Sequence, residues 1–269
     1  MSEDDNKTKQ LIETGTEIAG AAAGGALGFL AGGPLAAAGA TVAGVAIAKS
    51  AEKLISDIAN RHLSHREEVR VGAAAAFALS NIRDRLKEGD KPRDDGFFTN
   101  QIGNRSSADE IFEEVLLKSK NEHEEKKIRL LGNFFANLAF SPEISAPEAN
   151  HLLKIAESLT YRQMCLLTVF HIKSQKMEPH LRKTDYSDPS QSPSHETISL
   201  LQEIMDMCNQ RLLALPADDG SGFFVGLQGW SDIAPDLMRP TPIGEQLAIL
   251  LDVDAENTDS FNALVSQLT

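Results

Sequence analysis

The chain has 269 residues, 42% of them apolar, with 26 Lys and Arg against 39 Asp and Glu, a formal net charge of −13. That length holds one large domain or two small ones, and the apolar fraction is ordinary for a chain with a core. The acidic balance argues against a general nucleic-acid binder, whose affinity comes from Lys and Arg neutralising phosphates, and against passive attraction to anionic lipid.

The opening Ser2-Glu3-Asp4-Asp5 is acidic where a secretory leader is basic, so the expectation is a protein made and kept inside the cell. Cys165 and Cys208 both sit in apolar helical patterns and read as buried thiols, not as a disulfide framework. After a polar lead, helix character begins near Lys7 and enters a stretch from Ile18 to Ala48 that contains no charged residue. Gly20, Gly24, Gly28 and Gly32 recur there at every fourth position, and Ala36, Ala40, Gly44 and Ala48 resume the spacing after Pro34. The pattern predicts an Ala/Gly-rich helical hairpin with flat faces that allow close backbone approach. Each helical glycine costs about 1 kcal/mol relative to alanine, so tight helix–helix contact, in lipid or within protein, must offset the row. Each half is too short to span a bilayer alone, and Ala and Gly favour insertion weakly, so membrane contact is expected to be conditional.

The helix continues without a breaker into Lys49–Arg61, where Leu54, Ile55, Ile58 and Leu63 keep helical spacing, and a further helix is predicted over roughly Glu67–Lys87, ending at Gly89. The turn-rich stretch after it predicts a boundary, giving a helical region 1–89, a linker 90–106 and a helical domain 107–269. Ser107 and Glu110 read as a capping box, Lys118–Lys127 as a solvated charge run and Ile128–Phe140 as a core helix. Helices follow from Ser145 to Leu159 and, capped by Thr160, over Tyr161–Lys173. Residues 174–194 read as a long exposed loop, Glu196–Leu213 as a helix, and Phe223–Leu227 as the best strand, with Leu237–Arg239 as its partner. Thr241-Pro242-Ile243-Gly244 opens a short helix through Leu251, and Asp259–Leu268 closes the described pattern. The fold class expected is mainly α: an N-terminal helical hairpin, a helical body and a C-terminal region with a small β-hairpin.

The chemistry-bearing residues form no convincing constellation. The glycines from Gly220 to Gly229 match no phosphate-binding spacing. His62 and His65 lack a third ligand, His171 reads as a hydrogen-bonded core histidine, and Asp252–Glu256 lacks the glycine and closing glutamate of a calcium loop. No catalytic residue, metal or cofactor is therefore expected.

The Gly20-Gly24-Gly28-Gly32 ladder resembles the glycine-zipper segments of bacterial membrane-active proteins and toxins. The last third is similar in outline to winged-helix domains, with Leu159–Leu167 as a first helix, Glu196–Leu213 at the recognition position, Phe223–Leu227 as a wing strand and Thr241-Pro242-Ile243-Gly244-Glu245-Gln246-Leu247 as a T-x-x-G-x-x-L closing helix. A helical body with such an end resembles the Abi-alpha type of bacterial abortive-infection protein, which implies phage defence. The departure is chemical: from residue 145 onward 17 acidic residues face 8 basic ones, a net of −9, which repels phosphate. The expectations that follow are conditional membrane association, homo-oligomers through the ladder, a protein partner for the C-terminal region, no nucleic acid, and a cytoplasmic location with conditional attachment to the inner membrane. A soluble scaffold with the ladder as oligomer interface, or a winged-helix DNA regulator, are the alternatives.

Overall fold

The computed structural model describes residues 54, 63–99, 105–176, 179–188, 190, 193–217, 224–253 and 259–269. The expected N-terminal hairpin lies outside the described residues. What is described is mainly α, with one small antiparallel sheet. The chain divides into two compact units, Met1–Ser158 and Leu159–Thr269.

In the first unit, helix α1 (His65–Glu88) starts at a capping box in which Ser64 and Glu67 satisfy each other's backbone N–H groups. It stops at Gly89, whose φ of 97° is left-handed and open to glycine at little cost. Its run from Val71 to Leu79 is buried throughout. Small side chains there let α3 (Glu125–Leu138) approach closely: a Cβ placed on Gly132 would lie 2.8 Å from the Ala74 carbonyl oxygen and 2.8 Å from Phe77 Cβ. Helix α2 (Ser107–Asn121) packs against both, stacking Phe112 on Phe135 with ring centroids 4.4 Å apart, and α4 (Ala146–Ser158) covers α2 and α3.

Several expectations change here. The capping box of α2 is formed by Ser106 and Asp109, one residue earlier than Ser107 and Glu110, because Ser106 is the residue held in extended backbone beside Phe97, whose carbonyl accepts from Ala108 N–H. Residues 93–97 pack on the first unit. Arg93 donates its N–H to the Ala139 carbonyl, lays its guanidinium 4.3 Å from the Phe97 ring centroid and pairs with Asp95 at 2.5 Å. The charge run 118–127 is not wholly solvated. Lys127 and Glu122 are buried and paired at 2.6 Å, and Lys127 also donates to the Glu157 carbonyl at 3.0 Å. A run of mixed charge can place one matched pair inside when that pair's hydrogen bonds are complete.

The second unit is built around α5 (Tyr161–Lys176), opened by Thr160 and Gln163 exchanging backbone hydrogen bonds at 2.9 and 3.2 Å. Its apolar residues from Met164 to Phe170 are fully buried. Helix α6 (His195–Asn209) leads into β1 (Leu213–Pro216), which lies between β2 (Phe224–Val225) and β3 (Arg239–Pro240). Then come α7 (Pro242–Leu251) and α8 (Asp259–Leu268), both packed on α5. This unit is therefore helices around one small antiparallel sheet, closed by the T-x-x-G helix.

The details correct the sequence reading in four places. The helix ends at Asn209, and Leu213 belongs to β1, because Arg211 takes a left-handed φ of 59° that no helix continues. The residues near 239 pair with β1 (Leu213 opposite Pro240, Ala214 opposite Arg239), while β2 takes the other edge, so the two expected partners do not meet. The loop after α5 is pinned, with Leu181 and Tyr186 buried, Arg182 N–H bonded to the Leu268 carbonyl and Tyr186 N–H to that of Ser231. His171 is half-buried, and its Nδ1 has no hydrogen-bond partner among the described residues.

Candidate functional site

All eight residues singled out from the sequence, Gly20, Gly24, Gly28, Gly32, Ala36, Ala40, Gly44 and Ala48, lie outside the described residues. No described helix is long and apolar enough to cross a membrane. Among the described residues no cluster of three or more His, Cys, Asp or Glu could hold a metal ion. The two features that carry specific geometry both belong to the second unit: the exposed face of α6, and an apolar cleft where α6, the sheet and α7 converge.

Helix α6 starts at Ser194, which accepts from Thr197 N–H at 3.1 Å, and buries Leu200, Leu201, Ile204 and Met207. Its exposed side chains include Glu196, Gln202, Asp206 and Asn209. Glu203 faces Arg162 on α5, which grips its carboxylate through Nε at 2.9 and 3.0 Å and also reaches Ser199 Oγ at 3.2 Å. That pair holds the start of α5 against α6 and uses the guanidinium that a phosphate would need. The exposed face of α6 thus presents carboxylates and amides.

The cleft has a volume of about 610 Å³. Helix α6 contributes Met205, Cys208 and Asn209, the sheet contributes Leu213, Leu215 and Val225, and the opposite wall is Thr241, Pro242 and Ile243. Burial pushes the Cys208 thiol up to about 12, so it stays protonated and serves as apolar lining, not as a nucleophile. Val225 and Ile243 are 47% and 37% exposed, large apolar side chains left toward water at the rim. Among the described residues Arg211 is the one charged residue lining the cleft.

No family model matches the chain, nor does a curated protein or a solved structure.

What shapes the cleft is the T-x-x-G element. Thr241 donates its hydroxyl to the Arg211 carbonyl at 2.5 Å, accepts from Gly244 N–H at 3.2 Å, and donates its own N–H to the Leu212 carbonyl at 3.0 Å. One threonine therefore caps α7 and fastens it to the strand entry. Gly244 completes the joint. A Cβ there would sit 2.0 Å from the Leu212 carbonyl oxygen, so only glycine lets the first turn of α7 lie flat on β1. The sequence pattern named these residues without saying what they do. The left-handed Arg211 and the cleft wall could not be read in advance, because they depend on where β1 begins.

Proposed function

We propose that the chain is a membrane-acting bacterial effector of the toxin or abortive-infection type. The Ile18–Ala48 segment self-associates and perturbs the inner membrane, and the C-terminal unit docks a protein partner that governs its release. The observation that carries this reading is the uncharged segment with glycine at every fourth position, a face whose cost per glycine calls for close helix contact where water is absent. The acidic and amide face of α6 supports a protein partner in place of DNA. Release works as a population shift, since small-residue faces pack equally well on the chain's own body or on another copy.

The test is dye leakage from vesicles with the full chain, a chain starting at Ser50, and Gly24→Leu or Gly28→Leu. Leakage is expected from the full chain alone. Undiminished leakage from the leucine variants would defeat the proposal. A second reading, a soluble scaffold with the ladder as oligomer interface, is favoured by the α1–α3 contact, where this chain already uses alanines and Gly132 to bring two helices together within protein. An oligomer that forms in solution, needs Gly24 and never leaks vesicles selects it.

A further inference from the structure

Ligand cavities of a few hundred to a thousand Å³ are mostly apolar, with a few polar groups that fix orientation. The cleft of the second unit, at about 610 Å³, meets that description. Apart from the Asn209 amide its described lining is aliphatic or sulfur-bearing, and its hydroxyl, Thr241 Oγ, is committed to Arg211 and Gly244. Against this surface stands a single cation among the described residues. Arg211 is exposed, and its guanidinium has no ion-pair or hydrogen-bond partner among the described residues. The other arginines of this unit are engaged: Arg162 by Glu203, Arg182 by the carbonyls of Thr184 and Asp185, Arg239 by those of Asp236 and Met238. An uncommitted cation beside an apolar cleft is complementary to a molecule with an alkyl body and an anionic head.

We propose that this cleft binds a free single-chain anionic amphiphile, a medium-chain carboxylate, with its alkyl chain against Leu213, Leu215, Val225 and Ile243 and its carboxylate on Arg211. Arg211 is suited to the head group because its left-handed backbone, held by the Thr241 hydroxyl on its carbonyl, fixes where the side chain starts. The two carboxylate oxygens match the guanidinium fork. The proposal stands apart from the membrane reading, because it concerns binding in solution by the second unit and makes no use of the ladder.

The experiment is isothermal titration of the full chain with sodium decanoate and with decanol, both below their aggregation limits and without vesicles. Saturable decanoate binding is expected, with decanol weaker. Arg211→Gln should weaken decanoate about tenfold and leave decanol unchanged. Ile243→Gln, at an exposed rim position, should weaken both. Trp230 fluorescence reports that the second unit remains folded in each variant. The proposal is overturned by no decanoate binding, by equal affinity for acid and alcohol, or by an Arg211→Gln variant that binds decanoate normally. A parallel titration with phosphatidylglycerol vesicles separates the sources: binding to vesicles with none to decanoate also overturns it.

Discussion

Gly244→Ala sets two physical rules against each other. Helix propensity alone says that alanine inside a helix stabilises by about 1 kcal/mol over glycine. Packing says the reverse. The new Cβ would lie 2.0 Å from the Leu212 carbonyl oxygen and 2.9 Å from its carbon, where ordinary contact begins at 3.4 Å. The obstacle is backbone, so α7 must withdraw by more than an ångström. That movement stretches the Thr241 bonds to the Arg211 and Leu212 carbonyls, now 2.5 and 3.0 Å, each contributing about 1 kcal/mol. Overpacking adds about 1–3 kcal/mol. After subtracting the propensity gain, a net loss of about 2–4 kcal/mol is expected, roughly a 10 °C fall in midpoint for a unit of this size. The single tryptophan, Trp230, lies in the second unit, so thermal or urea unfolding followed by its fluorescence reads this transition apart from the first unit. Stability equal to or above that of the parent chain would refute the close-approach argument.

The remaining predictions concern the first unit and are read by far-UV circular dichroism during urea unfolding. Gly132→Ala should cost about 1–3 kcal/mol, less than Gly244→Ala, because its nearest obstacles lie at 2.8 Å and not 2.0 Å. Lys127→Met leaves the Glu122 carboxylate buried without its cation and should cost about 3 kcal/mol, while the double change Lys127→Met, Glu122→Met recovers most of it. Acid should loosen this unit in a defined direction. Burial alone would raise the Glu122 carboxyl, but the hydrogen bond from Lys127, the Glu124 and His123 amides and the Lys127 charge together hold it below its ordinary 4.5. The folded state therefore binds fewer protons than the unfolded one, so this contribution is complete above 4.5 and is lost as pH falls through the lowered value. Glu122→Gln should flatten that part of the stability profile, and an unchanged acid slope would count against the role of the pair.

Local rules were legible wherever neighbours in sequence settle the matter. Thr160 caps the helix it was expected to cap, the helix expected to open at Thr241 does so, Gly89 ends its helix in the left-handed region, and the apolar periodicity places α5, α6 and α8 close to their observed ranges. Even the T-x-x-G pattern was visible, because a cap and a bare first turn are properties of four consecutive residues.

Partnership was not legible. Which strand β3 would join, which lysine of a charge run would go inside, and that Leu213 would leave its helix for the sheet are settled by groups distant in sequence: the Ala214 register, the Glu157 carbonyl and the Thr241 hydroxyl. Periodicity records the apolar side of an element but not what will cover it, and a backbone hydrogen bond between strands carries no side-chain signature. The cleft beside Arg211 belongs to this second class. Its walls come from α6, β1, β2 and the entry to α7, and they exist as one surface only after α7 has settled on the Leu212 carbonyl at the one position without a side chain.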